Sequence, residues 1–409
     1  MITRARGALR GVVPLHLLQK VAWDPVALLV TTDVRWTRVQ QYAAVPDTVR
    51  AALGYCVQQV RQYDYLNYVW VAQMPKDLRP ALFALRAFNI ETALVAENIR
   101  SREPVVGQIR FQWWRDAVKN AYDNRPPSHP VAIALATVLH SPPPGAPQGE
   151  EPSTSGSGSG SAAAVPAGPD ETGTSGIAGS SLHEGCMSAG SSGADSGPGG
   201  GLSRTGPGRF SRYSFKRIID SREADFLDPQ PPLDLVALEQ YAEGTASQLL
   251  YLQLAAAGIK DREADHAASH LGRAAGITTL LRGTAAHAAA RRCYLPVDLC
   301  AEARVSQEDV YGGVVSEGLR DVVHKVASLA KGHLDEARRL APRLPSGSAA
   351  LMLPAVAVGR YLEGLEAANF DPYDARLMRE HGGGGGGDGG SAPLSYVLAV
   401  KWHHLRWTY

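Results

Sequence analysis

The sequence predicts an all-α protein built as a helical bundle. Nearly every stretch outside the low-complexity segments carries apolar residues at the three- and four-residue spacing of a buried helix face. No run of alternating β-branched residues indicates a strand, and no repeat of fixed period indicates a helical solenoid. Proline and glycine residues divide the pattern into about eight helices, which suits a single bundle of roughly 270 ordered residues.

The first two predicted helices lie on either side of a proline. One runs from Val49 to Gln73 and is stopped by Pro75, and the next runs from Leu78 to Arg100 with Pro80 tolerated in its first turn. The remaining helices are expected to begin at Pro104 and Pro130 and then to span Tyr213–Phe226, Leu233–Gly258, Arg262–Ala290, Gly318–Leu340 and Ser348–Ala368.

Two low-complexity segments lie inside and after the predicted helical domain, residues 46–380. Residues 142–208 are dominated by Gly, Ser, Ala and Pro, so burial could not offset the entropy of ordering them, and a disordered insertion is predicted. Residues 381–391 are a glycine-rich spacer. They separate an amphipathic helix at residues 392–409, which could dock on the bundle, on a membrane surface or on a partner subunit.

The N-terminal segment, residues 1–45, has the composition of an import signal. Arg4, Arg6, Arg10 and Lys20 alternate with Leu and Val, and no acidic residue precedes Asp24. This pattern is typical of a mitochondrial presequence. A chloroplast transit peptide is the alternative, although the scarcity of Ser and Thr in this segment disfavours it.

Charge and cysteine usage exclude several classes of protein. With 41 basic and 40 acidic residues the chain has no overall field to attract nucleic acid, so no nucleic-acid partner is expected. The four cysteines form no CxxC pair, which argues for a reducing compartment and against a zinc site. No apolar run is long enough to cross a bilayer, so the sequence predicts a soluble or peripheral protein.

Several motifs occur in a recognisable order along the chain. They are ALFALRAFNIETALVAENI, GQIRFQWWRDAV, LEQYAEGTASQLL, LGRAAGITTLLRGTAAH and RRCYLPVDL. In this order they resemble the landmarks of the squalene/phytoene synthase family from about Tyr55 to Leu365, with the insertion excluded. The resemblance implies the isoprenoid synthase fold, a helical bundle around a central cavity.

Enzymes of that family condense two prenyl diphosphates, and departure of diphosphate requires divalent cations. Carboxylates at i and i+4 on two facing helices can hold Mg²⁺. The resemblance places the first such pair at Asn89 and Ala93 and the second at Gly283 and His287. None of these is a carboxylate. We therefore expect no catalytic residue and no bound metal, and Mg²⁺ only if the chain were an active transferase.

Other family positions retain polar side chains. Arg222, Tyr241 and Arg282 are candidate contacts to the cavity or a ligand, although a structural role is the simpler interpretation. Glu91 and Glu97, near the first metal position, are interpreted as solvated charges on the helix face.

Two histidines on the helix after Arg262 have the spacing of a metal pair. His266 and His270 are four residues apart, but the HExxH order is absent and no third ligand is evident, so a structural or surface role is predicted. Trp114 shares a stripe with Phe111 and is predicted to lie in the core. The adjacent Trp113 is displaced from that stripe by about 100° around the helix. Core packing is the predicted role of this segment, and a protein-interface anchor is the alternative, because Trp and Arg together are typical of such anchors.

The functional expectation rests on the short forms RAFN with QWWRDAV and ADHAASHLGRAAGI with YLP. These are most similar to a mitochondrial branch of the family that serves respiratory complex I assembly rather than catalysis. The resemblance implies a protein of the matrix, peripheral on the inner membrane, whose partners are complex I subunits or other assembly factors. The alternatives are an active prenyl transferase of phytoene or squalene synthase type and an isoprenoid or lipid binding protein.

Overall fold

Helices account for the regular structure in the computed structural model, which describes residues 46–99, 103–142, 209–380, 394–406 and 408–409. No strand occurs in these ranges. The predicted targeting segment, the glycine-rich spacer and all but the first residue of the predicted insertion lie outside the described residues.

The helices before the low-complexity insertion contribute one half of the bundle. They are α1 (Asp47–Tyr63), α2 (Tyr65–Val71), α3 (Arg79–Ala93), α4 (Val95–Asn98), α5 (Pro104–Tyr122) and α6 (Pro130–His140). Prolines at the first positions of α5 and α6 start these helices where the sequence predicts, because a proline lacks only an N–H that the first turn leaves unpaired.

The helices after the insertion complete the bundle. They are α7 (Arg212–Leu227), α8 (Leu235–Ala242), a π-helical turn (Glu243–Ser247), α9 (Gln248–Ala256), α10 (Arg262–Arg282), α11 (Thr284–Ala289), α12 (Val297–Glu302), α13 (Gln307–Tyr311), α14 (Glu317–Leu340), a 3₁₀ turn (Ala341–Arg343), α15 (Ser348–Leu351), α16 (Pro354–Ala367), α17 (Ala375–Glu380) and α18 (Leu394–Arg406).

Four of the predicted helices are interrupted, which corrects their boundaries. Leu94 separates α3 from α4, Gly283 separates α10 from α11, and residues 352–353 separate α15 from α16. The first break is at Asp64, which leaves helical geometry with φ −142° and ψ 54°. Its carboxylate accepts hydrogen bonds from Asn67 at 2.7 Å and from the buried Arg86 at 3.1 Å. The apolar pattern continues through such a break, so periodicity did not reveal it.

Close packing of α10 against α8 and the π-helical turn depends on two glycines. A Cβ on Gly272 would lie 2.3 Å from Cα of Ser247, and a Cβ on Gly276 would lie 2.6 Å from Cβ of Ala242. Any larger residue would push the helices apart, so glycine at these positions brings Tyr241 and its neighbours on α8 against the centre of the bundle.

An aromatic cluster joins α3, α5 and α7. The ring of Phe88 makes edge contacts with Trp114, at a centroid distance of 5.6 Å, and with Phe215, at 5.2 Å. Trp114 is 4% exposed, which confirms its predicted place in the core, whereas Trp113 is 36% exposed. Such edge-to-face pairs add to the free energy of burial.

The C-terminal helix α18 docks on the bundle through one face. Tyr396, Val397 and Val400 are buried, and the Tyr396 hydroxyl donates to the carbonyl of Leu66 at 3.1 Å. Beyond the helix, the hydroxyl of Tyr409 donates to the carbonyl of Ala337 at 2.8 Å. Among the described helices, none is both long and apolar enough to cross a membrane.

A pair of adjacent substitutions tests this docking. Val397→Asp should lower the free energy of unfolding by about 3 kcal/mol or more, because it buries an unpaired carboxylate. Leu398→Asp should change it by no more than about 0.5 kcal/mol, because Leu398 is 53% exposed. Thermal melts of the two variants check the prediction, and equal melting temperatures would show that α18 does not dock in this way.

Candidate active site

The first of the family's metal positions, Asn89, lies beside an arginine. The side-chain oxygen of Asn89 on α3 accepts a hydrogen bond from Arg222 Nη2 on α7 at 2.8 Å. Arg222 Nη1 donates to the Asn89 carbonyl and to Thr92 Oγ1. The amide is therefore held by a guanidinium, and a cation already occupies the space next to this position.

Burial and nearby groups oppose each other at Arg222. Burial lowers its pKa, and Tyr241 and Asp225 act in the opposite direction. In turn, burial followed by the charge of Asp225 raises the pKa of Tyr241 to about 12, while Arg222 counteracts that rise. Arg222 thus connects the amide on α3 with a carboxylate on its own helix and a phenol on α8.

Asp225 is the acidic centre of the site, and its oxygens are already engaged. One accepts from Arg292 Nη2 at 2.7 Å and the other accepts from the Tyr294 hydroxyl at 2.9 Å. Burial raises the pKa of Asp225, and the charge of Arg292 is the largest opposing influence. These two hydrogen bonds leave fewer free lone pairs for a metal ion, and the positive charge of Arg292 opposes the approach of a second cation.

His287, at the last family metal position, lines the same region. Its ring lies 4.7 Å from the ring of Tyr294 in an edge-on contact. Burial, followed by the charge of Arg292, lowers the pKa of His287 to about 4. Its Nδ1 and the Nε of Arg292 are buried without a hydrogen-bond partner among the described residues. The imidazole is therefore neutral at physiological pH.

The cavity beside His287 is small. About 10 Å³ is open to the centre of a water molecule, between Thr284, His287, Arg292 and Tyr294 on one side and apolar side chains on the other. That volume suits about one water, which could bridge the unpaired nitrogens of His287 and Arg292. A neighbouring apolar pocket of about 150 Å³ lies around Cys293 and Cys300.

Of the remaining sequence-predicted positions, Gly283 packs against His287, whereas Ala93 and Arg282 lie apart from this polar network. A Cβ on Gly283 would lie 2.5 Å from the ring of His287, and Ala93 is exposed. Arg282 acts elsewhere. Burial raises the pKa values of Tyr361 and Tyr396, and the positive charge of Arg282 opposes both rises.

The acids near the first metal position do not rebuild a metal site. Glu97 is exposed, which agrees with its interpretation as a solvated charge. For Glu91 that interpretation is wrong, because Glu91 is partly buried and accepts a hydrogen bond from the Tyr55 hydroxyl at 2.7 Å. Across the residues that the structure describes, no group of three or more His, Cys, Asp or Glu side chains is arranged to hold a metal ion.

Sequence reasoning missed Asp225 and Arg292, the ion pair at the centre of this site. Asp225 follows Arg222 by three residues on α7, which places both on one helix face. That spacing could have indicated that Asp225 lies near Arg222. Arg292 lies in a loop just before the YLP step, and nothing in local spacing points it towards α7.

The polar residues of this network, from Asn89 to Tyr294, lie on segments that match a known family. The squalene/phytoene synthase family matches over residues 60–148 and 204–381. The chain belongs to this family. A solved structure of squalene synthase HpnC from Alicyclobacillus acidocaldarius has the same fold, with a TM-score of 0.56 at 14% identity, over 81% of this chain and 98% of that one. The isoprenoid synthase type bundle expected from the motifs is confirmed.

Relatives in animals are similar over most of their length. The chain is 32% identical to NADH dehydrogenase (ubiquinone) complex I, assembly factor 6 from Bos taurus, over 88% of this chain and 93% of that protein. It is 30% identical to the protein of the same name from Mus musculus, over 93% and 95%. These similarities agree with the branch of the family that the short motifs indicated.

The lowered pKa of His287 makes a prediction about stability in acid. Because the folded pKa of about 4 lies below the unfolded value of 6.5, the neutral ring contributes its full stability above pH 6.5. That contribution is lost as pH falls from 6.5 to 4, and the whole loss is about 3 kcal/mol. Denaturant unfolding of the protein and of His287→Gln at several pH values measures it.

The difference in unfolding free energy between protein and variant should shrink by that amount from pH 7 to pH 4. His324→Gln is the matched control, since His324 is exposed on α14 against the ring of Phe370. A difference that stays constant with pH would show that His287 is not buried in its neutral form.

Proposed function

We propose that this chain serves in the assembly of mitochondrial respiratory complex I and does not catalyse prenyl transfer. The observation that carries the proposal is the hydrogen bonding of Asn89 to Arg222, at a position where the family's enzymes need a metal-binding carboxylate. Similarity to complex I assembly factor 6 over nearly the whole chain supports the positive half of the proposal.

Electrostatics supports the absence of catalysis. Divalent cations stabilise the charge that builds on departing diphosphate, and they need several oxygen ligands together. Here the guanidinium of Arg222 donates a hydrogen bond to the side-chain oxygen of Asn89. The carboxylate of Asp225 accepts hydrogen bonds from Arg292 and Tyr294. A Mg²⁺ ion entering this network would meet two arginines and only one carboxylate.

The size of the cavity disfavours the lipid-carrier alternative. Sites for small molecules usually enclose about 300–1,000 Å³. The space beside His287 offers about 10 Å³ to the centre of a water molecule, and the apolar pocket around Cys293 offers about 150 Å³. Neither volume suits a long isoprenoid chain, so we assign the function to the outer surfaces of the bundle.

We place a contact with complex I subunits or other assembly factors on the outer face of α5. Val105, Ile109 and Trp113 recur every four residues and are 57%, 63% and 36% exposed. They form one apolar stripe, and the ring of Trp113 is held by edge contacts with Trp114 and His129. A fixed aromatic ring on an exposed apolar stripe is a common anchor at protein interfaces.

Complementation of a null strain tests the function. Loss of the gene should lower assembled complex I on native gels and rotenone-sensitive NADH oxidation, with unchanged carotenoids and sterols. Asn89→Ala and His287→Ala should restore complex I. Ile109→Glu should fail at normal protein level because it places a charge in the proposed contact, whereas Gln108→Glu, the same charge on the adjacent exposed residue, should restore it.

Two outcomes would contradict the proposal. Normal complex I with depleted carotenoids or sterols in the null strain would favour the transferase. Failure of Asn89→Ala and His287→Ala at normal protein level would show that the interior, and not the surface, performs the function.

We further propose that the chain lies in the matrix and contacts the inner membrane through the exposed face of α18. Leu394, Leu398, Trp402 and Leu405 lie on this face and are 49–75% exposed. The guanidinium of Arg406 lies 4.1 Å from the ring centre of Trp402, and α18 carries no acidic residue. Apolar residues with a tryptophan and nearby cations suit the surface of an anionic bilayer.

Sedimentation with vesicles that contain anionic lipid tests this contact. Leu398→Asp should weaken vesicle binding at least about threefold, because it sets a carboxylate against apolar chains and anionic headgroups. Ser395→Asp is the control, since Ser395 accepts a hydrogen bond from Arg360 and an aspartate there can do the same. Equal binding of both variants and the unchanged protein would refute a lipid contact through this face.

A further inference from the structure

Three histidines and one glutamate form a row of side-chain contacts that joins three helices, α8, α10 and α14. His270 Nε2 lies 3.2 Å from His266 Nε2, and both residues are on α10. His270 Nδ1 lies 2.9 Å from Nδ1 of His333 on α14. Nε2 of His333 is hydrogen-bonded to Glu239 on α8. We call these four residues the histidine row. It begins at the exposed His266 and ends at a carboxylate between helices.

The geometry of the histidine row differs from that of a metal site. A single ion binds one nitrogen of each imidazole, and its ligands converge on one point. The two ring nitrogens of His270 are directed to two different histidines on opposite sides of the ring. His333 supplies the third histidine that the sequence did not reveal, but it extends a row and does not close a coordination shell.

Hydrogen-bond polarity fixes the tautomers of the neutral row. A contact between two imidazole nitrogens needs one proton, because two lone pairs repel and two N–H groups collide. The carboxylate of Glu239 only accepts, so Nε2 of His333 carries a proton and its Nδ1 is a lone pair. His270 must then donate from Nδ1 and accept at Nε2, and His266 must donate from Nε2.

One added proton can be accommodated without loss of a hydrogen bond. A proton that binds Nδ1 of His266 from solvent allows the Nε2 proton of His266 to pass to Nε2 of His270. The Nδ1 proton of His270 then passes to Nδ1 of His333. Both imidazoles of α10 end neutral with reversed tautomers, and His333 becomes an imidazolium that donates to Glu239. One proton is taken up and nothing else is consumed.

A second proton cannot be accommodated in this way. In the reversed row every contact between rings already holds its proton, so another proton on either inner nitrogen would set two N–H groups against each other. The second positive charge would also lie close to the imidazolium of His333, with at most one ring between them, and the two like charges would repel. The row therefore accepts one proton with every hydrogen bond kept and loses a hydrogen bond when it accepts another.

The charges around the row act unequally on its middle ring. Burial lowers the pKa of His270, and His333, His266 and Arg273 add to that effect, whereas Glu336 on α14 opposes it. Glu336 also accepts a hydrogen bond from Arg339, whose positive charge weakens the effect of Glu336 on His270. The middle ring is thus the least favourable place for a cation, in agreement with the proton being stored at the Glu239 end.

We propose that the histidine row is a proton-binding unit that takes up one proton for three histidines and so forms a pH-responsive connection between α8, α10 and α14. Single uptake strengthens the connection, because it places a charged pair between α14 and α8 while all contacts persist. Further acidification places a second proton on the exposed His266 and breaks its contact with His270, while the connection of α14 to α10 and α8 persists.

Nitrogen NMR of the full chain labelled with ¹⁵N-histidine measures the proton count directly, since imidazole ¹⁵N shifts report tautomer and charge. Between pH 8 and 5.5 the three histidines of the row should together take up one proton. His270→Gln should raise the count to two, because it removes the ring that links His266 to His333. His324→Gln, elsewhere on α14, should leave it at one.

Glu239→Gln gives a second test that does not depend on breaking the row. The glutamine oxygen can still accept from His333, so folding is preserved, but the counter-charge is gone and proton binding should weaken about tenfold. Three protons taken up by the unchanged row, a count that does not rise in His270→Gln, or unaltered uptake in Glu239→Gln would each overturn the proposal. Zn²⁺ binding that displaces the row's proton would also overturn it.

Discussion

The guanidinium of Arg222 determines how the polar interior of the bundle is arranged. A cation between helices is stable only where acceptors surround it, and the bundle supplies them from α3 through the carbonyl and amide oxygens of Asn89 and the hydroxyl of Thr92. Asp225 adds a negative charge from the same helix. The amide at residue 89 is therefore suited to its neighbour, since a neutral acceptor satisfies Arg222 without adding a second buried carboxylate.

The same arrangement balances the charges in the interior of the bundle. In a bundle with two facing carboxylate pairs, cations must offset the repulsion between the acids. Here one acid, Asp225, lies beside two arginines, Arg222 and Arg292. The charges are balanced by side chains of the protein itself.

The sequence predicted the helical class and the place of Trp114 in the core but not the internal breaks. Periodicity located α3, α10 and α14, because a stripe of buried residues repeats every three to four positions along each. It could not locate the break at Asp64, which depends on Arg86 from another helix. For the candidate site, motif comparison identified Asn89 and His287 by position, whereas Arg292 is brought in by a loop whose path is set by tertiary packing.

The histidine row shows the same limit of local sequence patterns. His266 and His270 were visible as a pair at one-turn spacing, and the interpretation as structural residues followed from the lack of a third ligand. His333 lies on α14, far along the chain, and only the packing of α10 against α14 brings it within 2.9 Å. A local pattern can reveal which residues share a helix face, but it does not specify what the facing helix presents.

The division between interior and surface has a consequence for binding. Asn89 is hydrogen-bonded to Arg222, and Asp225 is hydrogen-bonded to Arg292 and Tyr294. A ligand that used these groups would first have to break those hydrogen bonds, at about 1–3 kcal/mol for each group left unpaired. Exposed apolar residues such as Ile109 and Trp402 carry no such cost, and water gains freedom when they are covered. Association through the outer faces is thus the energetically accessible mode of recognition for this bundle.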